Sequence, residues 1–178
     1  LIAMLADLSS LLGNQRHLVQ HARRRPDCEH RGCRHVNLSI QEIQNEIIDE
    51  FSFFDNWEQR YEYLIELGKD LNPLPDEVKT DDKIIKGCQS TVWLDAKIED
   101  DKIVFQADSD AILPKGLAAL LVRIYNHQKP EDILASNTDF IQEIGLQEFL
   151  SPTRANGLLA MIKQFKFYAI ALQSKMKS

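Results

Sequence analysis

What this sequence lacks narrows it early. No apolar run approaches the roughly 20 residues that a bilayer-crossing helix needs, so no membrane role is expected. The opening Leu1-Ile2-Ala3-Met4-Leu5-Ala6 is apolar, but no basic region precedes it and Asp7 breaks it. It does not read as a secretory signal. Cysteine is scarce: Cys28 and Cys33 lie early, and Cys88 stands alone in the rest of the chain. An odd count of this kind builds no disulfide framework and fits a reducing, cytoplasmic setting. Past residue 37 histidine is equally thin, with His127 alone. One cysteine and one histidine cannot assemble a thiolate zinc site. Neither G-x-x-x-x-G-K-[ST] nor G-x-G-x-x-G occurs, which removes the phosphate-cradling loops.

The charge is uneven. The 178 residues carry a net −6, yet residues 1–37 hold six Arg against Asp7, Asp27 and Glu29, leaving −9 on the remainder. An acidic body argues against nucleic acid as a partner, because phosphate binding needs clustered Lys and Arg. The length suits one domain with a real core rather than two. Cys28, His30, Cys33 and His35 form C-x-H-x2-C-x-H, a spacing that matches none of the common zinc patterns. Residues 1–37 are therefore expected to be a disordered or non-native extension, Leu1 not being a methionine, and the domain to span 38–178.

From Leu38 the chain has clear periodicity. Ser39 and Glu42 make a capping box. Ile40, Ile43, Ile47 and Phe51 then recur at helical spacing over 40–53. Asp55 and Glu58 repeat the start signal for a second helix, with Trp57, Tyr61, Leu64, Ile65 and Leu67 as its buried side and Gly68 near its end. Asn72-Pro73-Leu74-Pro75 opens a polar loop. Alternation from Thr91 to Ile98, a loose polar turn at Glu99–Lys102 and a return over Ile103–Ala107 predict an antiparallel hairpin. Two strands alone are marginal, so a third is expected from Ile84–Lys86 or a neighbour. Pro114, Pro130 and Pro152 each sit at a helix start, the last with Ser151 before it, and Pro152 introduces a long final helix. The class is α+β: a small antiparallel sheet of about three strands packed on N- and C-terminal helices.

Lys86-Gly87-Cys88-Gln89-Ser90 falls between the loop and the hairpin. Cysteine is among the most buried residue types and often a small core filler. The polar and flexible neighbours of Cys88 read instead as a turn that presents a thiol, which Lys86 or Arg154 could stabilise as thiolate. A Cys–His nucleophile would require His127, which lies at a helix C-terminus where imidazoles commonly offset the dipole.

Ordered motifs carry a resemblance. They are Asn56-Trp57 with Tyr61 and Ile65-Glu66-Leu67-Gly68, then Ile85-Lys86-Gly87-Cys88-Gln89-Ser90-Thr91-Val92-Trp93. Asp108-Ser109-Asp110-Ala111 and Lys115-Gly116-Leu117 follow, then Leu150-Ser151-Pro152-Thr153-Arg154-Ala155-Asn156-Gly157-Leu158. Over residues 39–175 the chain resembles the SufE family of sulfur-acceptor proteins (SufE- or CsdE-like), whose fold is SufE/NifU-like. The resemblance implies an accessory protein rather than an enzyme, with no cofactor and no metal of its own. Cys88 would accept persulfide sulfur from a PLP-dependent cysteine desulfurase (SufS- or CsdA-like), stimulate it, and pass sulfur to an iron–sulfur scaffold (a SufB-like complex). A homodimer stays open. Asp110 and Arg154 carry over as loop-positioning or interface groups, beside plain readings as a helix-start acid and a first-turn residue. Gly87, Gln89 and Ser90 shape the turn. The alternative is a regulatory module that binds a desulfurase non-covalently, with Cys88 structural.

Overall fold

The computed structural model describes residues 38–176. The expectations for residues 1–37, both the extension and the Cys28, His30, Cys33, His35 set, lie outside the described residues.

Helix α1 spans Ile40–Ser52 and α2 spans Trp57–Asp70. The capping box forms as expected: Ser39 Oγ accepts from the Glu42 amide at 3.3 Å, and the Ser39 amide donates to Glu42 Oε2 at 2.8 Å. The second cap falls one residue later than the Asp55 signal. Asn56 Oδ1 accepts from the Gln59 amide at 3.0 Å, and Asp55 donates its own amide to the Gln59 side chain. The buried side of α2 is also rotated. Tyr63, Leu64 and Gly68 are buried, whereas Tyr61 and Ile65 are only partly covered. A polar interaction draws Tyr63 inward. Arg123 grips Glu50 with two nitrogens at 2.6 and 2.7 Å, and the Tyr63 hydroxyl donates to the same carboxylate. Burial, and then the Glu50 carboxylate, hold the Tyr63 phenol well above its usual range.

Strands β1 (Val92–Glu99) and β2 (Lys102–Ser109) pair antiparallel in full register, from Val92 opposite Ser109 to Glu99 opposite Lys102. The turn is tight rather than loose. Asp100 and Asp101 have φ of 47° and 62°, the left-handed pair of a two-residue hairpin. The third strand expected at Ile84–Lys86 is not there: the described residues form a two-stranded sheet. Ile84 makes one bridge to Trp93, and Gly87, at φ 99°, turns the chain away before a second rung can form. Helices supply the cover that a third strand would have given.

Central among them is α3 (Ile112–Tyr125), which packs on α1, α2 and both strands. Short helices α4 (Pro130–Ala135), α5 (Phe140–Glu143) and α6 (Leu146–Phe149) lead to α7 (Pro152–Met176), which lies on α3, α4 and β1. The core is Phe51, Leu64, Leu94, Phe105, Leu120, Leu121, Tyr125 and Phe165, all at or near full burial. No helix among the described residues is long and apolar enough to cross a membrane.

Gly68 does not end its helix, which runs on to Asp70. It is there for contact. A Cβ on Gly116 of α3 would stand 2.3 Å from the Leu64 carbonyl oxygen, and one on Gly68 would stand 2.9 Å from the Gly116 amide. Both helices are backbone to backbone at this crossing. Glycine inside a helix normally costs about 1 kcal/mol relative to alanine. Here that gain on substitution is outweighed by overpacking against backbone that cannot step aside, typically about 1–3 kcal/mol and sometimes more. Gly116→Ala is therefore expected to destabilise the protein by roughly 2 kcal/mol, read as a lower urea midpoint. A neutral or stabilising result would mean that the crossing is loose.

Candidate functional site

The turn that carries Cys88 is tied to the hairpin before and after the thiol. The Ile85 amide donates to the Val92 carbonyl at 2.8 Å, and Ile85 is buried. Lys86 is exposed, and Gly87 lies in the left-handed region that L side chains rarely enter. A Cβ on Gly87 would also stand 3.3 Å from the Ala160 side chain, so the turn rests on α7. Cys88 is half-buried and unbridged, and its thiol donates to the Gly157 carbonyl at 3.5 Å. A methyl on Gly157 would meet the Cys88 sulfur at 3.6 Å, so the bare backbone of α7 provides the thiol's seat. Burial pushes the Cys88 thiol pKa up.

Cys88 opens onto a cavity of about 550 Å³. Its apolar wall is Ile65 from α2, Leu113 and Leu117 from α3, and Met161 from α7. Its polar rim includes Gln89, Ser90, Tyr61 and Arg154, with Arg154 Nη1 donating to the Tyr61 hydroxyl at 3.2 Å. Ile112 stands on the same rim with 68% of its surface exposed.

Asp110 is exposed and does not line the cavity, but it holds the segment that follows the turn. Its Oδ1 accepts from the Thr91 amide at 3.0 Å, and its own amide donates to the Thr91 carbonyl at 3.2 Å. Ser109 adds its hydroxyl to the same carbonyl at 2.7 Å. Beneath them Asp108, 4% exposed, takes Lys115 at 2.8 Å, Lys79 at 3.0 Å and the Ser109 amide at 2.9 Å. Lys79 also lies over the Trp93 ring, 5.6 Å from its centroid. Burial alone would push the Asp108 carboxyl up. The hydrogen bonds from Lys115 and Lys79 outweigh that and hold it below the usual carboxylate range.

The fold thus brings Cys88, Gln89, Ser90 and Arg154 to one cavity, with Gly87 shaping its edge and Asp110 one step removed. His127 is elsewhere. Its amide bonds to Ile103 near the hairpin tip, roughly 20 Å along the strands from Val92 at about 3.3 Å per residue. It does not line the cavity, and no Cys88–His127 dyad forms. Among the described residues no three His, Cys, Asp or Glu side chains are grouped as metal ligands. Sequence reasoning gave no role to Asp108, because the second strand was expected to end at Ala107. It passed over Gly157 as well, although a glycine inside a long helix signals a close neighbour. Ile112 left no signal, since an exposed isoleucine cannot be told from a buried one by sequence.

Comparison with known proteins meets this geometry. A family model described as the SufE Fe-S metabolism associated domain matches residues 45–169. An uncharacterized SufE-like protein of Rhizobium meliloti is 40% identical over 127 residues, which are 68% of this chain and 91% of that protein. An uncharacterized SufE-like protein of Synechocystis is 41% identical over 138 residues, 78% of this chain and 87% of that one. The Arabidopsis thaliana SufE-like protein 1, chloroplastic/mitochondrial, is 40% identical across 73% of this chain, but the match covers only 35% of that longer protein. The chain belongs to the SufE family. Its place is therefore in iron–sulfur metabolism. The solution structure of a hypothetical protein from Thermus thermophilus superposes with a TM-score of 0.63 over 74% of this chain and 96% of that one. At 23% identity it speaks to the fold alone.

Two outcomes are expected of this SufE-family site. With the Cys88 thiol pKa raised by burial, its alkylation by iodoacetamide should still be accelerating above pH 9, whereas an electrostatically activated thiol would level off near neutrality. Asp108→Asn should cost about 2 kcal/mol at pH 7, within the range for hydrogen bonds to a charged group. The sign follows from the lowered folded pKa: this stabilisation is present above the unfolded value near 3.9 and is lost as pH falls through the folded one. The stabilities of the two proteins from urea titrations should begin to converge as pH drops below about 4 and finish doing so once the lowered folded pKa is passed. A gap that does not narrow at all over that fall would mean that the carboxylate charge is not what matters.

Proposed function

We propose that this protein is a sulfur acceptor: Cys88 takes persulfide sulfur from a cysteine desulfurase and yields it to an iron–sulfur cluster scaffold. The observation that carries the reading is the setting of Cys88. It is the lone cysteine of residues 38–178, set on a glycine turn, half-sheltered against Gly157 and open to a cavity large enough to admit a donor group. Persulfide transfer is thiol exchange, which needs a thiolate with access to a divalent sulfur. A raised thiol pKa makes Cys88 sluggish in the free protein. Docking of the desulfurase would supply what is missing, by drawing the turn off α7 and exposing the sulfur. Gly87 permits such a movement, and the Asp110–Thr91 bonds define where it stops. In this reading the protein stimulates the desulfurase by removing its product sulfur and breaks no carbon–sulfur bond itself. The lone body cysteine suits a reducing compartment such as the cytoplasm.

The test is mass analysis of the intact protein and of its Cys88-containing peptide after incubation with a PLP-dependent cysteine desulfurase and cysteine. One added sulfur on Cys88, removed by a thiol reductant, is the expected result. Cys88→Ala should neither gain the sulfur nor stimulate the desulfurase. The packing of Cys88 on Gly157 also suits a purely structural cysteine, so the non-covalent regulatory module is the second reading. It requires Cys88→Ser to stimulate the desulfurase as well as the parent does, and that outcome would overturn the acceptor role.

A further inference from the structure

We propose that the cavity beside Cys88 also binds a small alkyl persulfide bearing a carboxylate, and that Cys88 takes sulfur from it with no protein donor. This rests on the reading of Cys88 as a sulfur acceptor and extends it to a second class of donor. At about 550 Å³ the cavity is far larger than one sulfur atom and falls within the usual range for small-molecule sites, roughly 300–1,000 Å³. Its chemistry is divided. Ile65, Leu117 and Met161 offer an apolar wall for a short alkyl body. Arg154 and Tyr61 offer a charged and a neutral donor on the rim, and the thiol faces the same space.

Arg154 is the unusual element. It sits in the first turn of α7, where the helix dipole disfavours a cation. Among the described residues its hydrogen bond is to the Tyr61 hydroxyl, and no carboxylate pairs with it. A guanidinium carries five N–H donors in a fork that matches a carboxylate. The protein as a whole is anionic, with a net charge of −6, so an anionic donor would be repelled unless this one cation received it.

The step balances without an added oxidant. The Cys88 sulfur attacks the terminal, sulfane sulfur of R–S–SH, forming the new S–S bond as the old one breaks. The electron pair of the broken bond leaves on R–S⁻, which takes up the proton that Cys88 gave up. The products are the Cys88 persulfide and the thiol R–SH.

The experiment compares two donors of equal length, the persulfides of 3-mercaptopropionic acid and of 3-mercaptopropionamide. Each loading rate is read by mass on the peptide that carries Cys88, because Cys28 and Cys33 can also take up sulfur, and is divided by that donor's rate toward free glutathione. The carboxylate donor should load Cys88 about 10-fold faster at low donor concentration, a ratio equivalent to about 1.4 kcal/mol. In Arg154→Gln the ratio should fall to about 1 or below, as expected of an anionic protein without its cation. Because the ratio is taken within each variant, a general change in thiol reactivity cancels, and an unchanged urea midpoint for Arg154→Gln is required so that a lost fold is not read as a lost cation. Equal loading by both donors in the parent, or a ratio unchanged in Arg154→Gln, would overturn the proposal. A parallel arm with desulfurase and cysteine separates the two ideas. If the desulfurase loads Cys88 and the carboxylate gives no advantage, only the small-donor site fails. If neither source loads Cys88, the acceptor reading fails with it.

Discussion

The structure depends on the crossing of α2 and α3, where Gly68 and Gly116 let two helix backbones meet without side chains between them. One steric requirement sets the position of most of what lies around Cys88. Ile65 and Tyr61 stand one and two turns before Gly68 on α2, and Leu113 and Leu117 flank Gly116 on α3. Fixing the crossing therefore fixes two walls of the cavity at once. Lys115, next to Gly116, is carried to Asp108 by the same contact, which ties α3 to the last rungs of β2. Gly157 of α7 faces the thiol itself, at a distance where a methyl group would make an ordinary contact with the sulfur.

Within this frame the Cys88 turn is held by polar interactions of unequal strength. The Lys79–Asp108–Lys115 cluster is sheltered at the carboxylate, so its hydrogen bonds act through little water, and losing Asp108 would leave two neighbouring lysines without their shared carboxylate. The Asp110 and Ser109 bonds to Thr91 lie nearer the surface and contribute about 1 kcal/mol each. The chain between Ile85 and Thr91 is thus a short span tied at both ends. Its middle rests on α7 through one weak thiol hydrogen bond and the packing of Gly87. A span held this way has few contacts to lose, which is the usual character of binding loops that open while the rest of the domain stays folded.

How much of this was legible in the sequence follows from which forces have a periodicity. The amphipathic stripe of Ile40, Ile43, Ile47 and Phe51 and the alternation through Val92, Leu94 and Phe105 are one-dimensional records of burial, and they located α1 and the hairpin. The third strand was inferred from a general rule about marginal two-stranded sheets. That rule assumes no other cover, and α3 and α7 supply it. Gly68 reads as part of a helix end, which does come two residues later at Asp70, yet the same residue also serves close packing, and only the partner at Gly116 reveals that. Tyr63 was missed for a related reason: its burial is driven by Glu50 and Arg123, which are 13 and 60 residues away in sequence. The Cys88 turn was read from its neighbours and from a family motif. Its seat on Gly157 and its cavity belong to tertiary structure and leave no local pattern.

The environment of the thiol finally argues about where the reactivity resides. A cysteine that must act alone is commonly activated by a nearby cation or a helix N-terminus, which lowers its pKa. Cys88 has the opposite treatment: burial raises the pKa, and its thiol hydrogen is spent on a carbonyl. For a self-sufficient nucleophile this would be a defect. For a carrier it is protection, because a thiol kept protonated and half-covered is slow toward oxidants and adventitious electrophiles alike. In the proposed reading, reaction waits on opening of the turn or on entry of a donor that fits the cavity. On that reading, selectivity comes from access rather than from intrinsic nucleophilicity: Gly87 and the cavity walls set that access, and the Arg154 cation chooses among the small donors that enter.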